Sequence, residues 1–224
     1  MDAKDEYNRI ADSLRDHIEL LALSGITHIP APEAARSAVK PEAPVRKATG
    51  LKERVDACSV CAGAGGRKKV ATGALGANAR LVFVGGNPSE ADAVKGAPFS
   101  GEEGELLTKM IEAMGFKRET VYILNSVRCA SSGEPTDEEV ASCKGFLEEE
   151  LGAISPKVVV TLGCVAALSL LGGRNVGALR GRFHERGGVK VMATYGTAEL
   201  LKDPSLKKDA WEDLKMVMKE LKKR

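Results

Sequence analysis

Four of the five cysteines are spaced as two pairs that could serve one metal centre. Cys58 and Cys61 are separated by two residues, a spacing that lets one loop present two sulfurs to the same centre. Cys129 and Cys143 form a second, wider pair further along the chain. Thiolates from two segments suit either zinc or a 4Fe-4S cluster, and the residues alone do not choose between them. The alternative is a chance pair plus two unrelated core thiols.

A glycine-rich turn lies between the two cysteine pairs. Residues 83–89 read Phe-Val-Gly-Gly-Asn-Pro-Ser, which predicts a strand that runs into the turn. A parallel sheet exposes ligand sites at the carboxyl edge of its strands, so we expect a site there, next to the metal centre. The fifth cysteine, Cys164, has apolar neighbours and is predicted to be a small buried residue.

The composition is that of an ordinary globular protein, with 43% hydrophobic residues, 29% charged residues and a net charge of +2. Because there is no strong overall charge, binding to nucleic acid would depend on a local patch. Met1 is followed by Asp, Lys and Glu rather than by an apolar run, and no stretch approaches the length of a membrane span. We expect a cytoplasmic protein whose cysteines are metal ligands or core residues rather than disulfides.

The chain divides into three parts. Residues 1–28 are predicted to form an amphipathic helix, because Ile10, Leu14, Ile18 and Leu21 recur at helical spacing. Residues 29–50 are rich in Pro and Ala and contain almost no large apolar side chain, which predicts a flexible linker. Residues 51–224 are predicted to form the folded domain around one core.

The predicted domain alternates β-rich and helical segments. The β-rich runs are Leu81–Val84, Val121–Leu124, Val158–Leu162 and Val189–Thr194. Between them, one helix carries an apolar stripe from Leu106 to Met114, one begins with a capping box at Thr136 and Glu139, and the last begins near Lys208. This alternation predicts an α/β fold, a three-layer α/β/α sandwich around a sheet of about four parallel strands.

Further motifs occur in a fixed order along this domain. They are the Cys58/Cys61 pair followed by Arg67, the turn at 83–89, Gly96 to Gly101, Val121 to Asn125 leading to Cys129, Glu139 with Cys143, Val160 to Gly163, Leu179 to Gly181, and Thr194-Tyr195. From about Val55 to Met218 this order resembles the iron–sulfur uracil-DNA glycosylases, the family-four branch of that superfamily. The resemblance implies that the ligands Cys58, Cys61, Cys129 and Cys143 hold a 4Fe-4S cluster rather than zinc.

The resemblance also implies a pocket for a nucleotide that is rotated out of DNA. Phe99 matches the aromatic residue on which the family stacks uracil, and Asn125 matches its base-reading amide. That amide accepts from uracil N3–H and donates to O4, whereas cytosine presents the reverse pattern and leaves two buried groups unpaired. Taken alone, Phe99 could be a core residue and Asn125 a turn cap. The other implied contacts are Gly85, Gly86 and Gly196 with the base, and Ser89, Arg180 and Thr197 with DNA.

The chain departs from the family pattern in the glycine-rich turn. Where the family has Glu, Ala and a second Gly, this chain has Gly86, Asn87 and Ser89. An Asn directly before the Pro resembles the mismatch-specific uracil/thymine branch, in which that Asn positions the attacking water. We take Asn87 as the catalytic candidate, since a neutral amide can orient water although it cannot take up its proton. Orientation is sufficient where water attacks late, on an oxocarbenium-like sugar.

A second departure removes a hydrogen-bond donor. After Thr-Tyr the family has His-Pro, and its His donates to the departing uracil, but this chain has Gly196 and Thr197. Loss of one such donor costs about 2.7–4 kcal/mol of transition-state stabilisation. We expect either a slow enzyme or one that supplies the donor elsewhere, from Thr197 or from a water above Gly196. Glu199 is expected to weaken DNA binding by its negative charge.

These residues predict a monofunctional, monomeric uracil-DNA glycosylase that excises deaminated bases from single- or double-stranded DNA in base-excision repair. The second hypothesis is a DNA-binding module of the same fold and cluster with little or no turnover, because Gly86 and Gly196 replace catalytic side chains. Solvated surface charge is the alternative to each predicted phosphate contact. Besides Arg180, those contacts are Arg67, Lys68, Lys69 and Arg182.

Overall fold

Five strands form a single sheet: β1 (Leu81–Gly85), β2 (Tyr122–Asn125), β3 (Val158–Leu162), β4 (Phe183–Arg186) and β5 (Val189–Thr194). Their order across the sheet is β2-β1-β3-β5-β4. β1, β2, β3 and β5 run parallel, and β4 pairs antiparallel with β5. The predicted α/β fold with four parallel strands is therefore confirmed, and β4 is an addition at one edge.

The computed structural model describes residues 50–61, 79–130 and 133–223. These residues belong to one compact unit, Val45–Arg224. The predicted N-terminal helix, the predicted linker apart from Gly50, and the basic residues Arg67, Lys68 and Lys69 lie outside the described residues. Within the described parts, no helix combines the length and apolar character that a membrane crossing requires.

Helices cover both faces of the sheet. They are α1 (Leu51–Asp56), α2 (Glu90–Lys95), α3 (Glu102–Ala113), α4 (Asp137–Ile154), α5 (Cys164–Leu171), α6 (Val176–Leu179), α7 (Thr197–Lys202) and α8 (Lys207–Lys222), with 3-10 turns at Arg118–Thr120 and Pro204–Leu206. The capping box predicted for α4 is present. Thr136 Oγ1 accepts from the Glu139 N–H at 3.2 Å, and the Thr136 N–H donates to the Glu139 carboxylate at 2.9 Å.

Successive residues of each strand point to opposite faces of the sheet and contribute to two separate apolar cores. The first core lies under α3 and α8 and includes Leu81, Phe83, Leu107, Val160, Leu214 and Val217. The second lies under α4 and α5 and includes Val82, Val84, Leu147, Val159, Ala166 and Leu170. Every residue of β1 and β3 is buried, as expected of parallel strands that are covered on both sides. The three predicted layers follow from this double burial.

Strand β4 has no counterpart among the predicted strands, because Phe-His-Glu-Arg lacks the apolar pattern of a buried strand. An edge strand pairs on one side only and tolerates such a polar sequence. The signal for it lies in the next two residues. Gly187 and Gly188 have φ values of 55° and 77°, the left-handed conformation that a two-residue hairpin turn requires.

A buried polar network joins the segment after β2 to α4. Tyr122 donates to Glu150 Oε1 at 2.6 Å, and the Arg128 guanidinium pairs with the other oxygen of Glu150. The side chains of Arg128 and Glu150 are only 4% and 1% exposed. Burial, together with the Glu150 carboxylate, raises the pKa of Tyr122, so the phenol stays protonated and remains a donor. The network fixes Arg128 directly before Cys129.

Replacement of Glu150 by Ala should strongly destabilise the fold, because it leaves the buried Arg128 charge without its partner. Loss of one member of a buried pair costs about 3–5 kcal/mol. The neighbouring Glu149→Ala is the matched control, since Glu149 pairs with Arg54 at a partly exposed position and such pairs contribute about 0–1 kcal/mol. Urea denaturation measures both variants, and equal losses would contradict the assignment.

Candidate active site

The carboxyl ends of the parallel strands open into one cleft of about 1010 Å³. The chain passes from β1 to β2 on one side and then to β3 on the other, and open α/β sheets bind ligands at such a switch point. The cleft is lined by residues that were predicted from separate stretches of sequence: Gly86, Asn87, Ser89, Phe99, Asn125, Gly196 and Thr197. The fold therefore gathers these residues in one cavity.

Gly85 brings the predicted stacking and base-reading side chains together. It lies opposite Asn125 in the register of β1 and β2. A Cβ atom at Gly85 would lie 2.5 Å from Asn125 Oδ1 and 2.5 Å from Phe99 Cζ, which is closer than nonbonded atoms approach. Only glycine fits at this position, and the Asn125 amide and the Phe99 ring share the space that its missing side chain leaves.

The Asn125 amide is buried with an unused donor. The residue is 4% exposed, and its Nδ2 has no hydrogen-bond partner among the described residues. An unsatisfied buried donor costs about 1–3 kcal/mol. A ligand in the cleft that carries an acceptor opposite Nδ2 would remove that cost.

The backbone at Phe99 is strained. Its φ of 54° lies in the left-handed region, which a bulky residue rarely adopts. Such a conformation costs about 1–3 kcal/mol and persists only where the surroundings hold it. The same strained backbone places the half-buried Phe99 ring beside Gly85.

The turn after β1 places Asn87 and Ser89 in the cleft. Asn87 Nδ2 donates a long hydrogen bond of 3.4 Å to the carbonyl of Gly133. Ser89 Oγ caps α2 by accepting from the Asp92 N–H at 3.2 Å. A Cβ atom at Gly86 would lie 3.1 Å from Val165 Cβ, so the Glu of the family pattern would need Val165 to move.

The hydrogen-bond donors at positions 196 and 197, near the position of the missing His, are both engaged. The Gly196 N–H donates to Glu199 Oε2 at 2.6 Å, and Thr197 Oγ1 donates to Glu103 Oε2 at 2.8 Å. A hydroxyl has one hydrogen, so Thr197 cannot donate to a base while it donates to Glu103. Thr197 in this conformation therefore offers no hydrogen to a departing base.

The cleft is acidic. Its described lining contains the carboxylates of Glu90, Asp92, Glu102, Glu103, Glu134 and Glu199, and Lys202 is the one basic residue in that lining. Phosphates carry negative charge and are repelled by such a surface. Within the described lining, Lys202 is therefore the one side chain that can pair with an anionic ligand.

Arg180 does not line the cleft and is paired within the protein. Its Nε donates to Asp213 Oδ2 at 3.0 Å, Nη1 lies 3.3 Å from Asp209 Oδ2, and the guanidinium lies 5.6 Å from the centre of the Tyr195 ring. Two carboxylates thus neutralise a charge that was predicted to contact phosphate. Arg182, two residues on, is exposed.

The four cysteines of the predicted cluster come from both halves of the domain. Cys129 and Cys143 are buried, and Cys58 and Cys61 are partly exposed. The pKa of Cys143 is raised by burial and by its proximity to Cys61 and Cys58, while the N–H of Arg128 hydrogen-bonds its sulfur. The two cysteine segments therefore approach each other.

The described residues form no preassembled site for a metal ion among these cysteines. Within residues 50–61, 79–130 and 133–223, no group of three or more His, Cys, Asp or Glu side chains is arranged to hold one metal ion. In a 4Fe-4S cluster each thiolate binds a different iron, so the sulfurs need not converge on one point as around zinc. Four thiols from two adjoining segments fit that ligand set.

The prediction that Cys164 is a small buried residue is wrong. The residue is partly exposed in the cleft at the start of α5, rather than a buried small hydrophobic residue. Its Sγ donates to Glu134 Oε1 at 2.6 Å. Burial and the Glu134 carboxylate raise the pKa of Cys164, so it stays a thiol rather than a reactive thiolate.

Three polar residues around the cleft were not found from the sequence. Asp92 is 4% exposed and bonds the turn after β1, and its spacing from Ser89 is a capping-box pattern that could have revealed it. Glu103 lies opposite Thr197, and Arg118 bonds the Phe99 carbonyl. Neither of these two has a local sequence signal, because both contacts join distant segments.

Comparison with known proteins identifies the family of this chain. A family model described as the uracil DNA glycosylase superfamily matches residues 72–215. The Type-4 uracil-DNA glycosylase of Thermotoga maritima is 35% identical over 180 residues, which cover 77% of this chain and 94% of the relative. The Type-4 enzyme of Archaeoglobus fulgidus is 38% identical over 150 residues, 62% of this chain and 75% of the relative. The chain therefore belongs to the uracil-DNA glycosylase superfamily.

Proposed function

We propose that this protein hydrolyses the N-glycosidic bond of uracil in DNA and leaves an abasic site, as the first step of base-excision repair. The observation that carries the proposal is the unpaired, buried Nδ2 of Asn125 beside the Phe99 ring. The target nucleotide must leave the base stack to reach this cleft, at a cost of about a few kcal/mol. Homology to Type-4 uracil-DNA glycosylases supports the same activity.

Base selection follows from the amide of Asn125. Its Nδ2 donates to uracil O4 and its Oδ1 accepts from N3–H, so both buried polar atoms are used. Cytosine would place its amino group against Nδ2 and its N3 acceptor against Oδ1, and neither contact is a hydrogen bond. Stacking on Phe99 adds affinity without distinguishing the bases.

Hydrolysis relies on positioning rather than on proton abstraction. Asn87 is a neutral amide, and its bond to the Gly133 carbonyl holds the side chain in the cleft. In its proposed role it orients a water toward the sugar after the glycosidic bond has largely broken. The carboxylates of the cleft favour the positively charged sugar that develops at that stage, and they oppose the departing uracil anion.

DNA contacts are proposed at Ser89, Thr197 and Arg180. The Ser89 oxygen accepts the helix-capping bond, and a serine hydroxyl can accept one bond while it donates another to phosphate. A phosphate contact by Thr197 requires release from Glu103, and one by Arg180 requires exchange with Asp213. Cys58, Cys61, Cys129 and Cys143 would hold a 4Fe-4S cluster that joins the start of the domain to α4. The cytoplasmic location and the monomeric state remain predictions.

A second candidate function is binding of damaged DNA with little turnover. Gly86 lacks the acidic side chain of the family pattern, which would also require Val165 to move, and the donors at Gly196 and Thr197 are occupied by carboxylates. Recognition of uracil would survive these changes, because Asn125 and Phe99 do not depend on them.

The primary test is excision of uracil from an oligonucleotide under single-turnover conditions, with alkali to cleave the abasic product. We expect strand scission at uracil by the wild type and a rate at least about tenfold lower for Asn87→Ala, since unoriented water attacks less often. Asn175→Ala is the matched control, because Asn175 only caps α6.

An unchanged rate in Asn87→Ala would remove that residue from the mechanism. Absence of scission by the wild type, with preference for uracil-containing DNA retained in a binding assay, would favour the second function.

Restoring a donor at position 196 should accelerate excision. Gly196 has φ −73° and ψ 155°, which His can adopt, but a Cβ atom would lie 3.3 Å from Glu199 Oε2 and from Gly163 Cα. Gly196→Ala therefore measures crowding alone, and Gly196→His adds the donor. We expect the His variant to be faster than the Ala variant by up to about 10²-fold in single-turnover assays. Equal rates would mean that the imidazole does not reach the base.

Loss of Cys143 should remove iron from the protein. Cys143→Ser replaces a proposed ligand, whereas Cys164→Ser replaces a cysteine that bonds Glu134 on the cleft side. Iron and sulfide analysis of protein purified without oxygen should give iron in the wild type and in Cys164→Ser, and a strong decrease in Cys143→Ser. A colourless wild type that contains zinc and no iron would contradict the cluster.

A further inference from the structure

The strained loop that carries Phe99 is held from one side by Arg118. Its Nη2 donates to the Phe99 carbonyl at 2.9 Å and to the Pro98 carbonyl at 3.4 Å. Its Nη1 donates to Thr108 Oγ1 at 2.9 Å and to the Gly104 carbonyl at 3.2 Å. One planar guanidinium therefore bonds the Phe99 loop to the first turns of α3. Because its N–H groups point in fixed directions, it orients the loop relative to the helix.

Gly104 allows the loop to approach α3 closely. A Cβ atom at this position would lie 1.8 Å from the Phe99 carbonyl oxygen and 2.4 Å from its carbonyl carbon. No side chain fits there unless the loop moves. The Phe99 carbonyl that Arg118 binds is thus pressed against the helix backbone, and this contact excludes the relaxed backbone conformations of Phe99 that would redirect the carbonyl.

Asp92 holds the loop from the other side. Its Oδ1 accepts from the Ser100 N–H at 2.6 Å, and its Oδ2 accepts from the Ser89 N–H at 3.1 Å. The carboxylate is buried and ties the Phe99 loop to the turn that carries Asn87. Lys95 adds a bond to the Ser100 carbonyl at 2.8 Å. Pro98 and Ser100, on the two sides of Phe99, are therefore bonded to charged side chains, of which Asp92 is buried and Arg118 half-buried.

We propose that Arg118 and Asp92 are positioning residues that hold Phe99 in its left-handed conformation and so set the aromatic face against which the flipped base stacks. The proposal rests on the proposed function, because it assigns Phe99 the stacking role. We call the contacts of Arg118 and Asp92 with this loop the clamp. Without the clamp, the Phe99 backbone relaxes to negative φ and the ring leaves its place beside Gly85 and Asn125. The base then loses its stacking surface while the Asn125 amide stays in place.

The central test is a double-mutant cycle between Arg118→Met and Phe99→Ala in the single-turnover uracil excision assay. We expect Arg118→Met alone to lower the ratio of the maximal rate to the half-saturating DNA concentration by about tenfold or more, because the base loses its stacking contact with the ring. In the Phe99→Ala background the same change should add less than about twofold, because the residue that it positions is absent. Additive effects of the two changes would overturn the proposal.

Two controls separate positioning from general loss of structure. Arg80→Met removes an arginine that also donates to a backbone carbonyl, that of Leu221 at 2.7 Å, but outside the cleft lining, and it should leave excision unchanged. Gly104→Ala should reproduce the Arg118→Met defect. Gly145→Ala, at an exposed position in α4 with nothing within 4 Å of an added Cβ, should not. A Gly104→Ala enzyme as active as Gly145→Ala would contradict the clamp.

Failure of the clamp and failure of the proposed function give different results. A wild type that does not excise uracil refutes the proposed function. Crystal structures of the wild type and of Arg118→Met then show whether Arg118 holds Phe99 in place. We expect Phe99 at positive φ beside Gly85 in the wild type, and a displaced ring with negative φ in the variant. An unmoved ring in the variant would overturn the proposal whatever the activity.

Discussion

The site depends on the close approach of two side chains to the α-carbon of Gly85. A Cβ atom there would lie 2.5 Å from both Asn125 Oδ1 and Phe99 Cζ, so any larger residue would displace one of these side chains. Glycine leaves this space free, which allows the amide and the aromatic ring to pack together against the backbone of β1. The pairing of β1 with β2 supplies one neighbour and the loop before α3 supplies the other.

Charged side chains that have no proposed role in catalysis hold the segments around Asn125 and Phe99 in place. Arg118 and Asp92 bind the backbone on either side of Phe99, and Glu150 fixes Arg128 next to the buried cysteine segment. Asp92, Arg128 and Glu150 are buried and Arg118 is half-buried, and each takes part in an ion pair or in hydrogen bonds to the backbone. Such groups are costly to leave without a partner, which makes these contacts rigid attachments for the segments beside the cleft.

In the proposed function, recognition and catalysis depend on different residues. Asn125 and Phe99 are proposed to recognise the base, whereas glycine stands at positions 86 and 196, where the families that the sequence resembles carry catalytic side chains. The space near Gly196 is taken by the Glu199 carboxylate, which accepts the backbone N–H that faces it. If this site acts as proposed, it binds a uracil base by shape and hydrogen bonding, and we expect its rate to depend on how it accommodates the negative charge of the leaving group.

The amino-acid sequence by itself determined the parallel strands, the capped helix at Thr136, the paired cysteines and the glycine-rich turn, because each depends on residues that are neighbours in the chain. The polar edge strand β4 and the exposure of Cys164 depend on what packs against them, and local pattern does not contain that information. Only the tertiary structure decided that Arg118 reaches Phe99, that Thr197 bonds Glu103 and that Arg180 is neutralised by Asp213. These contacts join residues far apart in the chain, and only the completed packing of helices on the sheet sets their distances.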